Sequence, residues 1–228
     1  MTGQPAARTR GSGSGRSSPD LWSPLFAPIE FWFFRTGWSQ GALLVDFIWR
    51  RRPASAEVRV SCFTHGHAEI NRTVQRWDPG EPHGAVAGCL FDRNGSSGSV
   101  GNASWDLRFE WEPEQLLVPP GPLRWARALD VSVASWPMCS ATGRVRVGAA
   151  DAAVDHRPAM TCHYWGRQLP REWVWLSAND FERTGTAVEV ALMRSALWGV
   201  NVPLPACTER PTNVADAAVP ETIPCGRT

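Results

Sequence analysis

The sequence contains one tyrosine, no lysine and no apolar run approaching the ~18 to 20 residues that a membrane-spanning helix needs. No transmembrane segment is therefore expected. Residues 1 to 20 are rich in Gly, Ser, Arg and Thr and have no apolar stretch, so they predict a disordered tail rather than a secretory signal, and a soluble, cytoplasmic protein. Six cysteines, at 62, 89, 139, 162, 207 and 225, form no CxxC pair and read as reduced structural thiols. There is no GxSxG nucleophile elbow, and the GSGSG at residues 11 to 15 follows no strand and opens no helix, so it is no phosphate cradle. Cys62, His65, His67, His83 and Cys89 match no common zinc spacing; no metal and no cofactor are expected. The 23 basic and 22 acidic residues nearly cancel, which leaves no global field toward nucleic acid or an anionic membrane. The sequons at Asn71, Asn94 and Asn102 carry little weight without an export signal.

What the chain does have is 13 tryptophans and a series of short alternating segments. Ile29 to Arg35 and Ala42 to Arg50 are aromatic and branched runs separated by a glycine turn, which predicts a hairpin. Ala56 to Thr64 places Val58, Val60 and Cys62 on one face and Glu57, Arg59 and Ser61 on the other, the pattern of a half-buried antiparallel strand. Residues 104 to 112 repeat the pattern, with Trp105, Leu107, Phe109 and Trp111 inward and Asp106, Arg108 and Glu110 outward. Leu129 to Ser135, Gly143 to Val147, Ala152 to His156, Glu172 to Asp180 and Thr186 to Arg194 read as further strands, the last with Val188, Val190 and Leu192 on one face. No segment of ten or more residues has a helical period.

The expected fold is therefore all-β, an antiparallel barrel or sandwich. The organisation read from composition is a disordered tail over 1–24, a first β unit over 25–122, a second and incomplete unit over 123–200, and a Pro-rich coil over 201–228. The boundary follows from the Pro-rich stretch between Pro113 and Pro122.

The densest segment is HYWGRQLPREWVWLSANDF, residues 163 to 181. Strand alternation puts Trp173, Trp175, Ser177 and Asn179 on one side and Val174, Leu176, Ala178 and Asp180 on the other. Two indoles and an amide on one wall suit a packed core or a pocket for a large apolar ligand. Elsewhere, Trp32 shares its face with Glu30 and Phe34, and Trp105 lies on the apolar face of its own strand. Asp46 interrupts LLVDFIW, where a carboxylate is outward, paired with a cation, or protonated. A desolvated carboxyl with a raised pKa is able to protonate a substrate at neutral pH.

Trp165, Gly166, Pro170, Trp173, Trp175, Asn179 and Phe181 form the pattern W-G-x-x-x-P-x-x-W-x-W-x-x-x-N-x-F. It resembles the signature stretch of tocopherol cyclase-like proteins, which are related to the hydroxyneurosporene synthase and AttH-type group of lipocalin-like folds. PIEFWFFR and the hairpin TGRVRVGAADAAVDH are similar to that group as well. The resemblance implies calycin-like β units in tandem, here with the second one truncated, around an isoprenoid or polyketide-like molecule. It also implies an acid that protonates an alkene while aromatic faces stabilise the cation. By motif position Trp165, Trp173, Trp175 and Asn179 are ligand-binding candidates, joined on physical grounds by Trp32 and Trp105. Glu30, Asp46 and His163 are the candidate proton donors. Three readings stay open: an acid-initiated cyclase, hydratase or isomerase; a non-catalytic binding protein for a hydrophobic metabolite; and a truncated, inactive paralogue.

Overall fold

The computed structural model describes residues 27–64, 67–78, 84–92, 94–111, 116–118, 131–167, 172–179, 187–197 and 200–210. Over these residues the chain is built of strands: β1 (Ile29–Trp38), β2 (Gly41–Arg51), β3 (Ala54–Thr64), β4 (His67–Arg76), β5 (Ala85–Val86), β6 (Cys89–Asp92) and β7 (Gly95–Val100). They continue with β8 (Ala103–Trp111), β9 (Leu116–Val118), β10 (Val131–Val147), β11 (Ala150–Gly166), β12 (Glu172–Ala178), β13 (Ala187–Leu197) and β14 (Val200–Arg210). The expected all-β architecture is what the chain adopts.

The large sheet runs β4-β3-β2-β1-β11-β10-β8-β7-β6-β5, with β9 beside β8 on the same edge of β10, and every pairing is antiparallel. It curls into a nearly closed barrel. Its two ends meet through side chains: the Asn102 amide donates to Glu69 Oε2 at 2.8 Å, the Asn71 amide to Asn102 Oδ1 at 3.4 Å, and the Ala87 N–H to Gln75 Oε1 at 2.7 Å. A second sheet, β12-β13-β14, lies against the outer face of β1, β11 and β10.

Alternation fills the barrel as expected. Val58, Val60 and Cys62 of β3 and Trp105, Leu107 and Phe109 of β8 are all buried inward, alongside Trp32, Phe34, Phe47 and Trp49. Trp111 packs against the same cluster, while Asp106, Arg108 and Glu110 face solvent.

Three expectations need correction. β10 and β11 sit in the middle of the large sheet, so that sheet draws on residues from both sides of 122, and the Pro-rich stretch is no break between sheets. The stretches ending at Ser135 and beginning at Gly143, read as separate strands, belong to one: β10 continues through Pro137, accommodating the ring with a register shift between Trp136 and Cys139. Finally, residues 200–210 are not coil but the strand β14, paired with β13 along its full length. Pro203 and Pro205 have the same parity, so their nitrogens point to one edge of the strand, and β14 is terminal in its sheet, where a missing donor is tolerated. The expected tail over 1–24 lies outside the described residues.

Of the turns and bulges, Gly143 is the most constrained. It has φ +150° at a second register shift between β10 and β11, and a Cβ there would run into the Asp106 backbone carbonyl of β8. Gly143→Ala is expected to lower unfolding free energy by roughly 2 kcal/mol or more. Urea denaturation checks this; an unchanged midpoint would show that the bulge relaxes freely.

Candidate functional site

The site begins with the alternation of β1. Its even residues, Glu30, Trp32 and Phe34, face the barrel interior, and its odd residues, Phe31, Phe33 and Arg35, face the second sheet. Pairing with β11 brings Trp32 level with His163 and Glu30 level with Trp165. The result is a buried dyad: His163 Nε2 lies 3.0 Å from Glu30 Oε1, and the two residues are only 4% and 3% exposed. The Trp32 indole N–H donates to the same carboxylate oxygen at 3.2 Å.

Aromatic faces enclose the imidazole. The His163 ring stacks on Trp32 at 3.9 Å between centroids with planes 10° apart, and Trp165 approaches it at 4.6 Å and 35°. Trp136 stacks on Trp32 at 6.0 Å, and Phe91 packs against Trp32 at 5.5 Å. The carboxylate and the electron-rich indole faces thus surround one imidazole from several sides. Two residues from His163 along the same face, about 7 Å away, the Thr161 hydroxyl is fully buried and has no hydrogen-bond partner among the described residues. A buried hydroxyl left open costs free energy, so it marks an open hydrogen-bonding position beside the dyad.

Four candidates named from the sequence, Glu30, His163, Trp32 and Trp165, are thus brought together. The others are not. Trp105 is inside the barrel but further along it, its indole N–H donating to Ser96 Oγ at 2.8 Å and its edge lining a shallow surface groove with Ser104, Asp106, Arg144 and Arg146. Asp46 lies on the outer face of β2, opposite Phe33, and so is separated from Glu30 and Trp32 by the sheet itself. Burial pushes its carboxyl up to about 7, with Arg59 pulling down and Glu57 pushing further up. The Trp173 side chain lies outside the described residues.

Trp175 and Asn179 do share a face, and Val174 and Leu176 are exposed on the other, but that face meets the outside of the barrel. Trp175 sits edge-on to Phe33 at 5.7 Å. The Asn179 amide donates to the Pro137 and Ala159 carbonyls at 2.9 and 2.8 Å and accepts from the Arg35 guanidinium at 3.1 Å, while Ser177 Oγ accepts from Arg35 at 3.0 Å. Those two carbonyls flank the β10 register shift, where the ladder leaves them to other donors. Asn179 is a strut between sheets.

Sequence reasoning missed Glu189, Ser135, Arg35 and Thr161. Glu189 is fully buried and accepts from Ser135 Oγ at 2.7 and 2.8 Å. Burial pushes its carboxyl up to about 7, opposed by Ser135, Arg35 and the Trp175 indole. The run Ala-Val-Glu-Val suggested inward valines; instead Ala187 and Glu189 face the barrel, and Val188 and Val190 are half-exposed. The available signal was its parity with Ala187, a weak one beside two valines. Among the described residues, no three His, Cys, Asp or Glu side chains converge on a point where a metal would sit.

A nearly closed antiparallel sheet around an aromatic core, with a second sheet on its outer face, defines a lipocalin-like all-β protein. Among solved structures the chain is similar to an AttH-like protein of Nitrosomonas europaea, with TM-score 0.56 and 13% identity, covering 79% of this chain and 65% of that one. It is similar also to kievitone hydratase from Nectria haematococca, with TM-score 0.57 and 13% identity, covering 79% of this chain and 61% of that one. The chain thus spans less than two thirds of either structure. No protein-family model and no curated protein sequence matches it.

Two outcomes follow for the outer face of the barrel. Asn179→Ala removes three hydrogen bonds and leaves two buried carbonyls open, so it is expected to cost roughly 2 to 4 kcal/mol in urea titration, with Asn179→Asp also destabilising. Asp46 and Glu189 keep their protons in the fold above the pH at which an unfolded carboxyl, near 4, loses them. Their contribution is complete below about pH 4 and is lost as pH rises to about 7. Each tenfold difference in proton affinity between folded and unfolded chain is worth on the order of 1.4 kcal/mol. Asp46→Asn should therefore flatten the fall of Tm between pH 4 and 7 and raise Tm at pH 8; curves parallel to the parent's would contradict it.

Proposed function

We propose that the protein is a cofactor-independent acid–base enzyme acting on an apolar isoprenoid or polyketide-like molecule, by hydration, cyclisation or isomerisation of an alkene. The observation that carries this reading is the buried Glu30–His163 dyad clasped between Trp32 and Trp165. The fold shared with kievitone hydratase supports it at the level of architecture.

The chemistry follows from the dyad. With Glu30 as the carboxylate, Nε2 of His163 carries hydrogen and Nδ1 is the nitrogen through which a proton is exchanged with substrate. Protonated His163 gives that proton to one alkene carbon, and the new C–H bond leaves a carbocation at the other. The indole faces of Trp32 and Trp165 stabilise the cation in a site from which water is largely excluded. A water or a substrate hydroxyl then attacks, its proton returning to His163, or a neighbouring C–H loses its proton to the same imidazole. Glu30 holds the ring in orientation throughout, and the Trp32 N–H holds Glu30. Thr161 supplies a hydroxyl for a polar group of the ligand. Trp175 and Asn179 contribute through the sheet interface, and Asp46 through its place beside Arg59 on the outer face, rather than through contact with the ligand.

The test is tryptophan-fluorescence titration of the full chain with prenylated quinols, carotenoid precursors and fatty acids, followed by product analysis on each binder. Turnover is expected for at least one, with Glu30→Gln and His163→Asn each lowering kcat at least about a hundredfold while binding changes little. Binding without turnover would assign the chain to the binding-protein reading, and variants as active as the parent would remove the dyad from the chemistry.

A further inference from the structure

The outer face of the sheet beyond the cover of β12-β13-β14 has an unusual composition. Cross-strand register on β3 and β4 sets Phe63 beside Ala68, Ser61 beside Ile70, Arg59 beside Arg72, Glu57 beside Val74 and Ser55 beside Arg76. Of the six large hydrophobic side chains exposed among the described residues, three belong to this one face: Ile70 at 66%, Val74 at 56% and Phe63 at 45%. Exposed apolar side chains clustered in this way mark an interaction surface, whereas scattered ones need no explanation.

The charges point to the partner. Arg59 and Arg72 stand directly opposite one another across β3 and β4, an arrangement that destabilises an isolated sheet. Two carboxylates answer Arg59 on the outer face: Asp46, its cross-strand partner on β2, and Glu57, which is shared between Arg50 at 2.9 Å and Arg59 at 3.5 Å. Arg52, Arg72 and Arg76 are exposed and make no ion pair among the described residues. The protein's net charge is only +1, so this surplus is local and not a general property of the surface.

We propose that the β3–β4 face docks the protein on an anionic lipid surface. Arg52, Arg59, Arg72 and Arg76 take headgroup phosphates and carboxylates, which guanidinium forks match bidentately. Ile70, Val74 and Phe63 enter the boundary between headgroups and acyl chains, the combination by which peripheral proteins bind membranes. Nucleic acid fits the face less well, because single strands are held by aromatic stacking platforms and two of its three apolar residues are branched aliphatics. The face is separate from the Glu30–His163 site and stands whether or not that site is catalytic.

The experiment is co-sedimentation of the full chain with vesicles of phosphatidylcholine alone and of phosphatidylcholine containing about one third phosphatidylserine, at low and physiological salt. Binding is expected to the anionic vesicles, weakening as salt rises. Arg72→Glu should lower the partition constant roughly tenfold or more. The Ile70→Thr/Val74→Thr double variant should weaken binding while leaving the salt dependence of what remains in place. All three side chains are exposed, so parent-like melting curves confirm that the variants fold, and Arg76→Glu serves as the second charge variant. Equal or absent sedimentation with both vesicles overturns the proposal, as does undiminished binding by Arg72→Glu and Arg76→Glu. Salt-sensitive retention on single-stranded DNA without vesicle binding overturns it in favour of nucleic acid.

Discussion

The structure depends on the pairing of β1 with β11. These strands are more than a hundred residues apart in sequence, yet their register sets Glu30 against Trp165 and Trp32 against His163, and it joins β4-β3-β2-β1 to the strands that follow β11 in the sheet. Without it there would be two open sheets with exposed apolar edges and no dyad. A contact of such long range is costly to close during folding and rewards the chain only once both faces are covered. The barrel interior covers one face, through Trp32, Phe34 and Phe47; the second sheet covers the other, through Trp175 against Phe33.

Because β1 is covered on both sides, each of its residues belongs to one of two compartments, and the polar ones have distinct duties. Glu30 points inward and meets an imidazole; Arg35 points outward and meets Asn179 and Ser177. The two polar sets are built alike in that each charged group of β1 meets a polar side chain from a strand far away in sequence. Trp136 lies between the two sets: it precedes the proline whose carbonyl Asn179 holds, and it stacks on Trp32.

Alternation made much of this legible. It assigned the buried faces of β3 and β8 residue by residue, and it correctly put Trp175 and Asn179 together with Val174 and Leu176 opposed. It could not say which sheet covers a face. The aromatic stretch from His163 to Asn179 is therefore divided, with His163 and Trp165 inside the barrel and Trp175 and Asn179 outside it. Glu189 was hidden because a valine on either side argued for the opposite face. β4 was hidden because its inward residues are polar and its apolar ones, Ile70 and Val74, face solvent. β14 was hidden by prolines that an edge strand tolerates.

The polar inner side of β4 has a further consequence. Glu69, Asn71 and Gln75 close the barrel by reaching across to Asn102 and Ala87, so at this one line the wall is fastened by side chains instead of a backbone ladder. A ladder parts only by unpairing a strand, whereas three such bonds, each worth about 1 kcal/mol net, can release while every strand keeps its neighbours. The barrel is thus closed in two ways: by continuous backbone ladders from β4 round to β5, and by polar side chains over a shared apolar core where the two ends meet.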